Sequence, residues 1–424
     1  MNNKKILIIS SNPVSNIFNN GKTLAAFFDN YPKENLAQLY FSAAAPDSDI
    51  CSKYYRISDM DMLKFKLKKS NYCGQAVEPV LGNGSKNADE GKIQNVRKNN
   101  FTRLLREVLW RKGWKTDELL KWLDEFKPDV VFFLAGDVVY GHKICQYIVK
   151  KYNTKMAMYI TDDYVLPRYD IDVFGYIRRT MIRKWMKISV NRADTLFTIS
   201  ELMKSCYKKM YGKDSYVAAN MYEPSEEREN KVVEKDNLVI TYAGGLHYNR
   251  DATLLKLIDA LEKINNKNED GKKEIILNIY SGSNVKKNVM KRFSESKSCY
   301  FGGLLGPEEL EEKLQQSDFL LHVESFSKRN ICDTKLSLST KIPEYMSYSK
   351  PIIAIGPGKV ASMQYLKDCS LCITSEKSIQ AELEQNLYDE AFIKKIVENA
   401  YAKYYQNHQK KKIQSEIVGI LNSL

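Results

Sequence analysis

The sequence predicts an α/β protein of two Rossmann-like domains facing an interdomain cleft. Three observations predict it. Short apolar runs of strand length recur along the chain and alternate with segments of helical period. At 424 residues the chain has room for two domains of ordinary size. A charged stretch without apolar pattern, Glu223 to Asn237, divides the runs into two series. The expected organisation is therefore a first domain over 1–222, a linker over 223–237, a second domain over 238–395 and a helical segment over 396–424.

Composition narrows the class. Hydrophobic residues make up 43% of the chain, enough for sizeable cores. No apolar run approaches the roughly 18–20 residues needed to span a bilayer. Met1-Asn2-Asn3-Lys4-Lys5 followed by Ile6-Leu7-Ile8-Ile9 is too short for a signal-peptide core and reads as a first buried strand, so a cytoplasmic location is expected. The 8 cysteines are scattered, which suits reduced thiols. Cys369 and Cys372 form a lone C-x-x-C that reads as part of a strand. A net charge of +13 implies anionic partners: phosphates, anionic lipid or nucleic acid.

In the first half, Lys5 to Ser10 reads as a strand. A polar loop then leads to Gly21-Lys22-Thr23 and the apolar helix start at Leu24. A phosphate-binding P-loop would need glycine at position 16, which is asparagine. Gly21 either lets backbone approach a substrate, with Lys22 beside it, or serves a helix turn. Gln38 to Ser42 suggests a second strand, and Gly74 to Asn100 a polar surface excursion. Phe101, Leu104, Leu105 and Val108 have helical spacing, with Trp110 and Trp114 on the other face among Arg103 and Arg106. Tryptophan among arginines suits a membrane interface, or else packs on a neighbouring element. Asp129–Leu134 and Met156–Ile160 are buried strands. The second ends in Thr161-Asp162-Asp163, acids that either hold an acceptor hydroxyl or a water, or cap the next helix. Tyr176 to Val190 reads as a basic amphipathic helix, with Arg179, Arg183, Lys184 and Lys187 opposite Met181, Ile182, Trp185 and Met186. Thr195–Ile199 is a strand, and Ser200 caps a helix from Glu201.

In the second half, Leu238–Ala243 is a strand ending at Gly244-Gly245, where backbone can approach a phosphate that Arg250 could bind bidentately. Ile275–Tyr280 is the next strand, and Tyr300-Phe301-Gly302-Gly303 leads into a short helix. Between the strands around Asp318–Ser325 and Pro351–Ile355 lies Ser339-Thr340-Lys341-Ile342-Pro343-Glu344-Tyr345. Ser339 and Thr340 are suitable N-caps, and Pro343 is tolerated only in a first turn. A helix starting there presents free N–H groups at the carboxyl edge of a sheet, and Lys341 adds a full charge. Glu344, one turn in, can accept hydrogen bonds from sugar hydroxyls. A cation for phosphates and a carboxylate for a ribose make a nucleotide-sugar site.

Ser339 to Tyr345 followed by Ser349-Lys350-Pro351-Ile352-Ile353-Ala354 resembles the donor-site segment of GT-B-type glycosyltransferases, and most of all the retaining family-four-like branch. The resemblance implies that Lys341 meets the donor diphosphate and Glu344 the ribose. It implies that Gly244, Gly245 and Arg250 face the phosphates, and that loops at Ser281-Gly282 and Gly302-Gly303 hold the base. It also implies retention of anomeric configuration, and a last helix that crosses back onto the first domain. One departure stands out: position 336, where many such enzymes carry a second glutamate, is leucine.

The expected reaction moves a hexose from a nucleoside-diphosphate sugar to an acceptor hydroxyl. Lys341 and Arg250 stabilise the departing diphosphate. No cofactor and no metal is expected: Asp59-Met60-Asp61 has Asp-x-Asp spacing but follows Ile57-Ser58 in a segment without clear pattern, so the leaving group falls to protein cations. The expected acceptor is a lipid-linked sugar of envelope polysaccharide synthesis, met at an anionic membrane surface. Epimerase, hydrolase and non-catalytic nucleotide-sugar binding are the alternatives. Epimerisation or hydrolysis needs a general base, and the 4 histidines form no visible set. Nucleic-acid binding lacks the interleaved aromatic and basic residues it requires.

Overall fold

The computed structural model describes residues 3–16, 19–81, 99–169, 172–224, 236–267 and 272–424. Its contacts divide the chain into two units, Met1–Ala219 with Lys410–Leu424, and Asn220–Gln409. Most of the stretch expected as a linker lies outside the described residues. The expected boundary at 396 falls within a helix of the second unit, and the chain rejoins the first unit at Lys410.

The first unit carries β1 (Ile6–Ser10), β2 (Leu36–Tyr40), β3 (Lys53–Arg56), β4 (Gln75–Val77), β5 (Val130–Ala135), β6 (Lys155–Ile160), β7 (Thr195–Thr198) and β8 (Tyr216–Val217). They form one sheet in the order β4-β3-β2-β1-β5-β6-β7-β8, parallel except for β4 at the edge. Its helices are α1 (Asn19–Phe28), α2 (Asp59–Lys66), α3 (Asn100–Leu109), α4 (Asp117–Phe126), α5 (Val139–Tyr152), α6 (Val173–Arg192) and α7 (Glu201–Tyr211). The second unit carries β9 (Asn237–Ala243), β10 (Glu274–Tyr280), β11 (Cys299–Gly303), β12 (Phe319–Val323), β13 (Ile352–Ile355) and β14 (Leu371–Ile373), ordered β11-β10-β9-β12-β13-β14 and all parallel. This is the doubly wound order, with a switch point between β9 and β12. Its helices are α8 (Arg250–Asn266), α9 (Lys287–Glu295), α10 (Pro307–Gln316), α11 (Lys328–Thr334), α12 (Lys341–Ser347), α13 (Ala361–Leu366), α14 (Ile379–Asn386) and α15 (Glu390–Asn407). A last helix, α16 (Lys410–Ser423), belongs to the first unit.

The central strands are largely apolar because helices cover both faces of a parallel sheet. One device fixes their starts. An aspartate just before β5, β7 and β12 accepts an amide near the start of the neighbouring strand: Lys5 to Asp129 at 2.8 Å, Met156 to Asp194 at 2.8 Å and Val239 to Asp318 at 2.7 Å. Helix α16 closes on α1 through buried Ile413, Ile417 and Leu421, spaced one turn apart, and through Asn30 to Gln414 at 2.9 Å. Asn422 accepts from Lys4 N–H at 3.2 Å and from the Tyr31 hydroxyl at 3.0 Å. No helix among the described residues is long and apolar enough to cross a membrane.

Helix α3 is the largest departure from the sequence reading. Its apolar row points outward and its charges point inward. Trp110, for which the sequence left a membrane interface or a neighbouring element open, takes the second: it is fully buried, stacked on Tyr140 at 4.1 Å, with its indole N–H donating to Asp59 at 2.6 Å. Arg103 pairs with Asp137 at 3.2 Å and Arg106 with Asp59 at 2.7 Å. The buried Glu107 carboxylate accepts the free N–H groups of Val139 and Tyr140 at the start of α5. Burial raises the Glu107 carboxyl above its usual range, and these amides and Arg178 offset only part of that. Trp114 packs edge-on to Tyr147, and Lys143 lies over the Trp185 ring. On α6, Arg179 and Arg183 donate to the carbonyls of Leu166 and Val165, so they fasten a loop. Asp59 and Asp61 are likewise engaged: Asp61 completes a capping box with Ser58 at the start of α2.

Two buried histidines make stability depend on acid. His142 meets Ser189 at 2.9 Å, and His408 bridges the Asn220 carbonyl at 2.7 Å and the Tyr365 hydroxyl at 2.8 Å. Burial pushes both rings down to about 4. Between the unfolded value of about 6.5 and that folded value, the unfolded chain takes up protons that the folded chain refuses. Stability therefore falls as pH falls through this window, by up to about 1.4 kcal/mol per pH unit for each ring. Urea melts at several pH values across it should show His408→Gln with a shallower decline than wild type. Equal slopes would refute the assignment.

Candidate functional site

The carboxyl edge of the second sheet gathers most of the residues expected at a donor site. Gly244 and Gly245 follow β9, Ser281 and Gly282 follow β10, and Gly303 ends β11. The turn after β9 is tight. Gly244 N–H donates to the Tyr280 carbonyl at 3.1 Å, and the Tyr242 hydroxyl donates to the Gly245 carbonyl at 2.8 Å. A Cβ on Gly245 would stand 2.3 Å from the exposed His247 ring, so a side chain there would have to push that ring aside. Tyr248 and Asn249 both take positive φ, 60° and 62°, to deliver Arg250 to the start of α8. Gly303, at φ 71°, accepts at 2.7 Å from Ser281 N–H, which joins the next two loops.

Arg250 is already engaged. Its guanidinium lies 3.3 Å from each carboxylate oxygen of Glu324, which follows β12 and is almost wholly buried. His322 Nε2 stands 3.3 Å from the same carboxylate. Burial alone would raise the Glu324 carboxyl, but the His322 ring and the Arg250 guanidinium outweigh it and hold it below its usual range. Burial and the nearby Arg250 charge push the His247 ring down, so it is a neutral group beside this pair. Glu324 escaped the sequence reading, although its place as the first acid after an apolar run was the available signal.

Helix α12 differs from expectation at its start. It begins at Lys341, is 7 residues long, and has no side-chain cap from Thr340. The Ser339 hydroxyl instead accepts from Lys341 N–H at 3.4 Å. So short a helix has a weak dipole, and the side chains dominate the electrostatics. Lys341 Nζ donates to Glu344 Oε2 at 2.8 Å, and the Tyr348 hydroxyl donates to Glu344 Oε1 at 3.3 Å. Burial and the adjacent Glu344 charge drive the Tyr348 hydroxyl far up, so it keeps its proton for that bond. Tyr222 backs Tyr348 at 3.1 Å. The buried Tyr345 ties this helix to the glycine turn: its hydroxyl accepts Ala243 N–H at 3.2 Å and faces the Ala243 carbonyl at 3.3 Å. One side chain thus ties the helix that carries Lys341 and Glu344 to the strand end that precedes Gly244 and Gly245.

A cavity of about 390 Å³ lies beside this edge, against α10, lined by Asn278, Tyr280, Tyr300, Gly302 and Leu305 among others. Lys341, Glu344, Gly244 and Gly245 do not line it.

On the first unit the expected residues separate. Gly21 lies in α1, and a Cβ there would stand 2.5 Å from the Pro13 carbonyl, so the chain's own loop occupies that approach. Lys22 is exposed. Asn20 reaches Thr161 at 3.5 Å, which brings the start of α1 beside the end of β6. Asp162 is partly exposed there. Asp163 is buried, accepts from the N–H groups of Val165 and Leu166 at 2.9 and 3.0 Å, and lies 3.4 Å from Arg168. Its carboxylate shapes the loop and is closed to an acceptor. Among the described residues no group of three or more His, Cys, Asp or Glu side chains could hold a metal ion.

Taken together, the two doubly wound sheets give the fold of GT-B-type glycosyltransferases. No family model and no curated protein matches this sequence. Solved structures do match across their whole length. Anabaena HepE, determined with UDP and glucose, is 12% identical with a TM-score of 0.61, covering 99% of this chain and 100% of that one. The E. coli trehalose-6-phosphate synthase bound with UDP-2-fluoro glucose is 12% identical with a TM-score of 0.62, covering 99% of each chain. A glycosyltransferase from Rickettsia africae is 12% identical with a TM-score of 0.60, covering 100% of this chain and 99% of that one. At such identities the likeness is one of fold.

Proposed function

We propose that the protein is a glycosyltransferase that moves a hexose from a nucleoside-diphosphate sugar to an acceptor hydroxyl. The observation that carries this reading is the pairing of Lys341 with Glu344, fastened by Tyr345 to the Gly244-Gly245 turn. On donor binding, Glu344 accepts the ribose hydroxyls and Lys341 turns to the diphosphate. Arg250 shifts part of its charge from Glu324 to the same phosphates. As the bond from the anomeric carbon to phosphate breaks, these cations stabilise the charge left on the diphosphate. Ser281, Gly282 and Gly303 hold the base through backbone, with Ser339 and Thr340 beside the phosphates. Lys22 and Asp162 serve the acceptor.

Retention, metal independence, a lipid-linked acceptor in envelope polysaccharide synthesis and a cytoplasmic location belong to the same proposal. UDP is the first nucleotide to test, since HepE and the trehalose-6-phosphate synthase were solved with UDP or a UDP-sugar. Calorimetry with UDP and GDP should show one of them binding, and Glu344→Ala should weaken it by about 1.5–3 kcal/mol, the worth of a charged hydrogen bond. If neither nucleotide binds, or if Glu344→Ala binds as well as wild type, the donor-site assignment fails. Turnover lost to EDTA and restored by magnesium would overturn metal independence alone.

A further inference from the structure

We infer that the outward face of α3, with the first two turns of α6, is a docking surface for an anionic phospholipid bilayer. The surface stands on first-unit residues alone and does not depend on the sugar-transfer reading. Phe101, Leu105 and Val108 lie on one stripe of α3 and are 45%, 50% and 57% exposed. Helix α6 packs beside α3 and adds Val173 at 70%, Phe174 at 41% and Ile177 at 42%, with the Phe101 and Phe174 rings 5.0 Å apart. These six exposed apolar side chains lie on two adjacent helices joined at Phe101 and Phe174, and exposed apolar surface of this kind marks an interaction site.

The inversion of α3 is what makes the patch informative. A helix that folds against its own protein turns its apolar stripe inward. Here the buried side is held by Glu107 and Trp110, and the half-exposed Arg103 and Arg106 pair with Asp137 and Asp59 at its margin, so α3 is fixed with its apolar row facing out.

Charge selects the partner. Farther along α6, Lys184 and Lys187 are exposed, and beyond the end of α3 so are Arg111 and Lys112. Lys66, at the end of α2, reaches the Val108 carbonyl at 3.2 Å, which brings the exposed Lys64, Lys68 and Lys69 to the same border. Asp172, which caps α6 through Gly175 N–H, is an acid at the rim. An apolar stripe between lysines is the pattern of a helix lying in the plane of an anionic interface.

The test is co-sedimentation of the full chain with phosphatidylcholine vesicles, with and without phosphatidylglycerol. Binding should need the anionic lipid and weaken as salt rises. Phe101→Gln with Leu105→Gln, both exposed and so compatible with folding, should weaken it at least about tenfold, from lost apolar burial. Lys184→Gln with Lys187→Gln should weaken it to a similar degree, while the charge-matched Lys394→Gln with Lys395→Gln on α15 should not. Binding that survives the Phe101 and Leu105 substitutions overturns the assignment of this face. So does absence of vesicle binding with self-association in sedimentation velocity that those substitutions abolish, which would make the occupant a second copy. UDP binding, measured in parallel, reports on the donor site separately.

Discussion

Replacing Lys341 with alanine should cut sugar transfer by at least about a hundredfold, the scale seen when one group that stabilises transition-state charge is removed. The loss should fall mainly on kcat, because the diphosphate carries more charge as the bond to the sugar breaks. Folding should be spared. Lys341 is about one-third exposed, and the helix it begins is held by buried Ile342, Tyr345 and Met346. The substitution leaves Glu344 without its 2.8 Å partner, so a donor effect has two sources. Lys341→Ala combined with Glu344→Gln separates them. If charge on the diphosphate is what matters, the double variant stays as slow as the single one. A single variant with wild-type turnover and unchanged donor affinity would remove Lys341 from the reaction.

Trp110→Ala should destabilise the protein by about 3–5 kcal/mol, as expected for deleting a large buried ring. It removes the stack on Tyr140, the edge contact to Phe41 at 5.5 Å and the hydrogen bond to Asp59. Trp110→Phe keeps most of the ring contact and should cost less. Chemical denaturation followed by circular dichroism measures both. A Trp110→Ala midpoint equal to that of wild type would mean the indole sits at the surface, one of the two readings the sequence leaves open.

Where the sequence was legible, it was legible for stated reasons. The buried strands stand out because a parallel sheet covered on both faces needs unbroken apolar runs. Three of them are announced by Asp129, Asp194 and Asp318, each a single aspartate just before the run. Strands β3 and β4 escaped notice because they are short and half polar. Helix α2 escaped as well, although Ser58 and Asp61 spell its capping box. In α3 the helix itself was found and its orientation was not. Periodicity locates two faces without saying which is inside, and the ion pairs that bear on it depend on Asp59 and Asp137, distant in sequence. The stretch proposed as the donor site was legible from Lys341 and Glu344, because a cation and an acid one turn apart are local. The contribution of Tyr345 and Glu324 was not, because each acts on a strand or helix far along the chain. Asp163 misled for the opposite reason: a carboxylate at a strand end serves equally as a ligand or as a turn, and only its amide partners tell which.

The placement of α16 bears on how the protein is made. The first unit is not a contiguous piece of chain, for its closing helix is encoded after the whole of the second. During synthesis, domains tend to fold in the order in which they emerge. Here the earlier unit must wait, with the surface of α1 that will receive Ile413, Ile417 and Leu421 uncovered, while Asn220–Gln409 is translated and folds. A fragment ending at Ala219 therefore carries an open seam. The Asn30 amide, the Tyr31 hydroxyl and the Lys4 amide would each lack the partner that α16 brings. The second unit, by contrast, is an uninterrupted insert, and the first unit is completed around it.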